Sequence, residues 1–294
     1  MRNRSSVAAI LLLAAWALPA QAQEHSHDGA GAGNAAAGAG REKPVAWTRY
    51  PVLLAGMREG RGAVGIRAGN LEALVLDVFA PGPDVAAGRT QLPLAGGGAT
   101  VTPPHAGKGN YHWLMAREET DGVVRVASTA HYFSNPGPSP EEVLVAPKSE
   151  LEIVPHPLPR EHSMYRESEK WSFLVRYDGR ALENKPVVLE TESGSRVTMT
   201  TNSLGMASVV FPRDMGPAKN GENEHRPRPA KFVLGVEHEA DGKRYVTAFN
   251  YAYGRDPDRS RSLDAGLGFL VLGMACAAPL LRRRQNAPEN TDHA

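Results

Sequence analysis

The chain has 294 residues, a formal net charge of +1 at pH 7 and one cysteine. The near-zero net charge gives no electrostatic argument for a nucleic-acid partner. Because Cys276 lies in an apolar C-terminal segment, the rest of the chain has no disulfide and depends on its hydrophobic core for stability. The sequence has no nucleophile elbow, no HExxH motif and no glycine-rich phosphate loop, so we expect no enzymatic activity.

The first 22 residues have the pattern of a secretory signal peptide. Arg2 and Arg4 precede an apolar run from Val7 to Leu18, and Ala20-Gln21-Ala22 is a small-x-small cleavage site. An uncleaved N-terminal anchor is the alternative, but the apolar run is short for spanning a bilayer. We therefore expect export, with residues 1–22 removed and a mature chain that begins at Gln23.

The mature N-terminus predicts a metal site formed by Gln23, Glu24, His25 and His27. A histidine at the third position can join the terminal amine and two backbone amides in a planar four-nitrogen chelate, which suits Cu(II) or Ni(II). Cyclisation of Gln23 would remove that amine, and two chance histidines in a short polar segment are the other interpretation. Since residues 29–40 are almost entirely Gly and Ala, we predict a His-bearing arm and flexible linker over residues 23–43.

Residues 44–155 are predicted to form a β-rich domain, because short apolar runs alternate with Gly, Pro and Asp-Gly. Leu71–Ala80 is compatible with either a helix or a strand. A Pro-rich stretch around residues 155–159 predicts a domain boundary. The predicted strands include Ala99–Thr102, Tyr111–Glu118, Val123–Phe133 and Glu150–Val154.

The segment GNYHWLMAREETDGVVRVASTAHYF predicts a hairpin that holds a second metal site. If Asp121-Gly122 forms its two-residue turn, His112 lies directly opposite His131, and Glu118 lies opposite Arg125. Directly opposed Cβ atoms are about 4.5–5.5 Å apart, so both imidazoles can bind one ion. His105 is a third candidate ligand from the preceding loop.

The alternative for this pair is that the two imidazoles only stack or hydrogen-bond across the strands. The face that carries Trp113, Met115, Val124, Val126 and Ala130 is the predicted core face. The histidines therefore share the opposite face with Leu114, Ala116 and Thr129.

Residues 160–255 are predicted to form an Ig-like or prealbumin-like β-sandwich domain. In WSFLVRYDG, alternate residues from Trp171 to Tyr177 share one face, and Asp178-Gly179 then turns the chain. A second hairpin is predicted around Asp241-Gly242. Strands at roughly ten-residue spacing are typical of such sandwiches, so the predicted fold class is all-β.

The apolar segment at residues 263–281 predicts one C-terminal transmembrane helix. It has no charge from Ala265 to Leu281 and is followed by three arginines, which mark the cytoplasmic side. A buried core helix and a processed surface-sorting signal are the alternatives. The predicted topology is single-pass in the cytoplasmic membrane, with the body in the periplasm and residues 282–294 as a cytoplasmic tail.

The region from Ser149 to Phe211 resembles the core of the DUF4198 family, and the resemblance extends over roughly residues 100–255. The matching features are turn and core positions: Leu151 to Pro155, Asp178-Gly179, Leu182 with Pro186-Val187, and Thr201 with Gly205. The resemblance implies a periplasmic, membrane-anchored protein associated with nickel or cobalt uptake.

Together, these features predict an accessory protein of transition-metal uptake that captures or hands over ions through histidines. Ni(II) is the first expectation, with Co(II) or Cu(II) as alternatives, and the expected partner is a metal-transport permease in the cytoplasmic membrane. Since neutral imidazole is the binding form, capture is expected to weaken as the pH falls through about 6.5. The alternative function is a structural or adhesive β-sandwich surface protein without a metal role.

Overall fold

The computed structural model describes residues 45–59, 62–82, 84–102, 111–133, 139–160, 163–216, 228–258 and 263–285. Strands make up 53% and helices 10% of the structure, which confirms the all-β prediction. The ambiguous segment Leu71–Ala80 contains a strand, and the four predicted strands all form, with bounds that differ by one or two residues.

The strands in chain order are β1 Val52–Glu59, β2 Ala63–Gly69, β3 Val75–Phe79, β4 Arg89–Pro93, β5 Gly98–Val101, β6 Tyr111–Thr120, β7 Val123–Tyr132, β8 Leu151–Pro155, β9 Tyr165–Arg166, β10 Lys170–Tyr177, β11 Arg180–Ala181, β12 Pro186–Thr191, β13 Arg196–Thr200, β14 Met206–Val210, β15 Ala230–Ala240 and β16 Lys243–Gly254. Two helices accompany them, α1 Glu141–Val145 and α2 Leu263–Gln285.

A nine-stranded sheet is the centre of the fold. Its order is β13-β12-β15-β16-β7-β6-β3-β4, and β9 pairs with β16 outside this path. Strands β16 and β7 are parallel, with Arg244 beside Val123 and Phe249 beside Ser128. This sheet contains strands from both sides of the predicted boundary near residues 155–159, and the described residues from 45 onward belong to one compact unit.

Both faces of the central sheet are covered, which produces three layers. One face packs against the sheet formed by β8, β10, β11 and β14, and the core between them includes Trp113, Phe173 and Phe249. This arrangement is a β-sandwich. The other face packs against the sheet formed by β1, β2 and β5, and this second core includes Ile66 and Leu114.

Strand β6 is consequently buried on both faces from Tyr111 to Ala116. The predicted core face of the hairpin is confirmed, since all five of its residues lie in the first core. The face that carries the histidines is also buried, because Leu114 and Ala116 belong to the second core.

The predicted Asp-Gly turns all form. Asp121, Asp178 and Asp241 have φ angles of 51°, 46° and 51°, and each is followed by a glycine with φ between 73° and 76°. Positive φ at both central residues is the type I′ geometry that matches the twist of a hairpin. The turn at Asp121-Gly122 therefore fixes the alignment of β6 with β7.

The segment predicted to be a transmembrane helix, residues 263–281, lies within α2. The apolar side chains between residues 266 and 279 are exposed, including Leu267, Phe269 and Met274. Across the described residues, no helix has both the length and the apolar character needed to cross a membrane.

Candidate metal centre

The hairpin of β6 and β7 brings the two predicted ligands together. His112 is directly opposite His131, and the same register places Glu118 opposite Arg125. Arg125 Nε lies 3.5 Å from Glu118 Oε1, so the predicted charge pair is also present. Directly opposed Cβ atoms are about 4.5–5.5 Å apart, within reach of one shared ion.

His112 is a buried imidazole whose polar atoms are unsatisfied. Its exposed fraction is 2%, and neither Nδ1 nor Nε2 has a hydrogen-bond partner within the described residues. Burial lowers the pKa of His112 to about 4, because the apolar surroundings disfavour the imidazolium. At neutral pH, His112 is therefore an uncharged ring with a nitrogen lone pair available to a metal ion.

An aromatic ring joins the two histidines on the same face. Phe133, which directly follows β7, meets the His131 ring at 4.5 Å between centroids and the His112 ring at 4.9 Å. The interplanar angles are 73° and 88°, so both contacts are edge-to-face. Phe133 is 6% exposed and belongs to the second core, whereas His131 is half-buried at the rim.

The other predicted metal ligands are outside this pair. Gln23, Glu24, His25, His27 and His105 lie outside the described residues. In the part of the chain that the structure covers, no group of three or more His, Cys, Asp or Glu side chains is arranged to hold a metal. The described residues therefore supply a two-imidazole arrangement.

The remaining described histidines are separate from this pair. His156 is exposed after the end of β8. His238 is half-buried in β15, and its ring meets Tyr177 edge-to-face at 4.8 Å between centroids.

A second cluster of polar groups, which the sequence did not predict, lies under α1. Arg176 Nε donates to Glu152 Oε2 at 2.7 Å, with side-chain exposures of 7% and 5%. The Arg176 guanidinium also donates to three carbonyl oxygens at the end of α1. Lys148 Nζ donates to two carbonyl oxygens there and lies 5.1 Å from the Trp113 ring centroid.

The chemistry of this cluster is structural. The Lys148 side chain is fully buried, and desolvation lowers the pKa of its amine to about 8, although Glu152 acts in the opposite direction. Cations at a helix C-terminus satisfy carbonyl oxygens that have no partner within the helix. Lys148 and Arg176 therefore hold α1 against the edge of the sandwich.

Sequence reasoning did not single out Phe133 or this ion cluster. Phe133 has a detectable signal, since it follows His131 by two residues and must share its face in an extended chain. The sequence signal for Arg176 and Glu152 is weaker. The alternation of side chains along β8 and β10 places both residues on an outward face, and α1 covers that face in the folded chain.

No protein-family model matches the chain, and no curated protein matches it. The chain is similar to a solved structure from a bacterial ice-binding adhesin, at 13% identity and a TM-score of 0.24, over 70% of this chain. The match spans 65% of the adhesin chain, less than two thirds of its length. A two-domain fibronectin type III segment of chicken tenascin matches at 10% identity and a TM-score of 0.21, over 69% of this chain and 98% of that one. Likenesses at these TM-scores decide neither the fold family nor the function.

Proposed function

We propose that the protein binds a transition-metal ion between His112 and His131 and serves as an accessory protein of metal uptake. The observation that supports this function is the pairing itself: two directly opposed imidazoles, one of them buried with both nitrogens unsatisfied within the described residues. A buried polar group without a partner costs about 1–3 kcal/mol. A metal ion on one His112 nitrogen offsets part of that cost.

The proposed ion is Ni(II), with Co(II) or Cu(II) as alternatives, since neutral imidazole suits all three. The resemblance to DUF4198 supports nickel or cobalt. The pKa of His112, lowered to about 4 by burial, changes the pH dependence expected for this one of the two ligands. Protonation of this ligand competes with the metal only below about pH 4, rather than from about pH 6.5.

The alternative is a structural or adhesive β-sandwich protein without a metal role. The edge-to-face contact of His112 with Phe133 favours it, because a neutral imidazole in such a contact also acts as a core side chain. An Ig-like or prealbumin-like assignment for residues 160–255 is compatible with either function.

Nickel titration of the full-length chain separates the two functions. Every variant in this titration also carries His25→Ala and His27→Ala. These two substitutions define the background and remove the N-terminal arm as a competing site. In this background we expect one Ni(II) per chain by isothermal titration calorimetry. His112→Ala and His131→Ala are each expected to weaken binding by at least about 10-fold, because each removes one of two described ligands.

His156→Ala in the same background is the control, since His156 is an exposed imidazole outside the β6–β7 hairpin. It should leave the affinity unchanged. Absence of Ni(II) binding, or equal binding after loss of both paired histidines, would contradict the metal site and leave the structural role. His131 is half-buried, so its variant tests the site even if His112→Ala does not fold.

The proposal also includes the predicted location: a single-pass protein of the cytoplasmic membrane whose body meets a metal-transport permease in the periplasm. Protease added to spheroplasts is expected to digest residues 44–255 and to spare an epitope placed after residue 294. A cytoplasmic enzyme in the same sample controls for lysis. Protection of the body together with that enzyme would exclude the periplasmic location and the uptake function.

A further inference from the structure

We infer that Phe133 is the positioning residue of the histidine pair: its ring fixes the orientation of both imidazoles and thereby sets the affinity for metal. This inference rests on the proposed metal site and adds a residue that binds no ion itself. It depends on the two edge-to-face contacts, with centroid distances of 4.5 Å to His131 and 4.9 Å to His112.

The position of Phe133 gives it access to both rings. Because it follows His131 by two residues, it projects from the same face of the extended chain. His112 is opposite His131, so it is the diagonal cross-strand neighbour of Phe133, a spacing that an aromatic side chain can bridge. One ring therefore restrains two side chains that come from different strands.

Phe133 is itself held in place. Only 6% of it is exposed, and it belongs to the second core, which the sheet of β1, β2 and β5 covers. Because the packed core holds the Phe133 ring in one position, that ring restrains the orientation of the imidazoles that it contacts. This is the arrangement expected of a preorganised site, in which supporting side chains lock the rotamers of the ligands.

The energetic consequence follows from side-chain entropy. Ordering one mobile side chain on binding costs about 0.5–1.5 kcal/mol. If Phe133 orders both imidazoles before the ion arrives, this entropy is already lost when the chain folds and no longer opposes metal binding. Loss of the ring without loss of the apolar volume should therefore weaken metal binding while the histidines remain in place.

The test uses the full-length chain in the His25→Ala, His27→Ala background, with Ni(II) chloride as the probe. Phe133→Leu keeps an apolar side chain but removes the flat ring, and we expect about 10-fold weaker Ni(II) binding by calorimetry. Phe133→Tyr restores the ring and should restore most of the affinity. Phe211→Leu removes a ring from the first core, at 1% exposure, and should leave the affinity unchanged.

A second measurement follows the imidazole protons of the metal-free chain by NMR. In the parent chain, the ring current of Phe133 should shift signals of both His112 and His131, and Phe133→Leu should remove both shifts. If Phe133 acted only by packing in the core, Phe133→Leu and Phe211→Leu would weaken Ni(II) binding alike. That outcome overturns the inference. Unchanged Ni(II) affinity in a folded Phe133→Leu chain also overturns it, and the metal site then stands. If the parent chain binds no Ni(II), the proposed function fails and this inference fails with it.

Discussion

Arg176→Met is expected to lower the free energy of unfolding by about 3–5 kcal/mol. The substitution removes the close partner of the buried Glu152 carboxylate and the donors of three carbonyl oxygens at the end of α1. Methionine has a similar length, so the loss reports mainly the missing charge and hydrogen bonds. Urea unfolding of the full-length chain, with EDTA present, measures it.

Arg213→Met is the matched control. Arg213 forms an ion pair with Asp256 at 2.7 Å, the same distance as the Arg176–Glu152 pair, but its side chain is 57% exposed. An ion pair whose arginine is this exposed contributes much less, about 0–1 kcal/mol, because water screens the charge. A similar decrease in the free energy of unfolding for Arg176→Met and Arg213→Met would show that burial does not determine the strength of the Arg176 cluster.

Stability should also fall by about 3 kcal/mol between pH 6.5 and pH 4 through His112 alone. Its pKa is lowered to about 4 in the folded chain, whereas an unfolded histidine titrates near 6.5. Between these values the unfolded chain binds the proton and the folded chain does not. The stabilisation is therefore fully present above pH 6.5 and is lost progressively as the pH falls toward 4.

The measurement compares urea unfolding at several pH values in EDTA for the parent chain and for His112→Leu. Only the pH dependence is compared, since the substitution also alters packing. The difference between the two chains should grow as the pH falls below 6.5, because the leucine variant has no proton to bind at this position. Parallel curves for the parent chain and His112→Leu would contradict the buried neutral state.

The hairpin register was predictable from the sequence because one local feature determines it. A two-residue Asp-Gly turn requires positive φ at both positions, and this fixes which residues of the two strands are opposed. The pairing of His112 with His131 follows from that turn and is confirmed. The opposite charges of Glu118 and Arg125 favour the same register independently of the turn.

The burial of His112 was not predictable from the hairpin alone. Its face becomes a core only because β1, β2 and β5 cover it, and no local pattern in β6 specifies which other strands pack there. The parallel pairing of β7 with β16 was missed for a similar reason. Pairings between distant segments depend on the packing of the whole chain, and the Pro-rich stretch between them pointed instead to a domain boundary.

The parallel pairing of β7 with β16 joins two strands that are synthesised at different times. Arg244 and Val123 are neighbours in the sheet but about 120 residues apart along the chain. At a synthesis rate of 5–20 residues per second, β7 waits roughly 6–24 s for its partner. During that interval its backbone N–H and C=O groups form an open edge, which is a template for pairing with other chains. Until β15 and β16 have emerged, pairing of this edge with another chain competes with the native pairing.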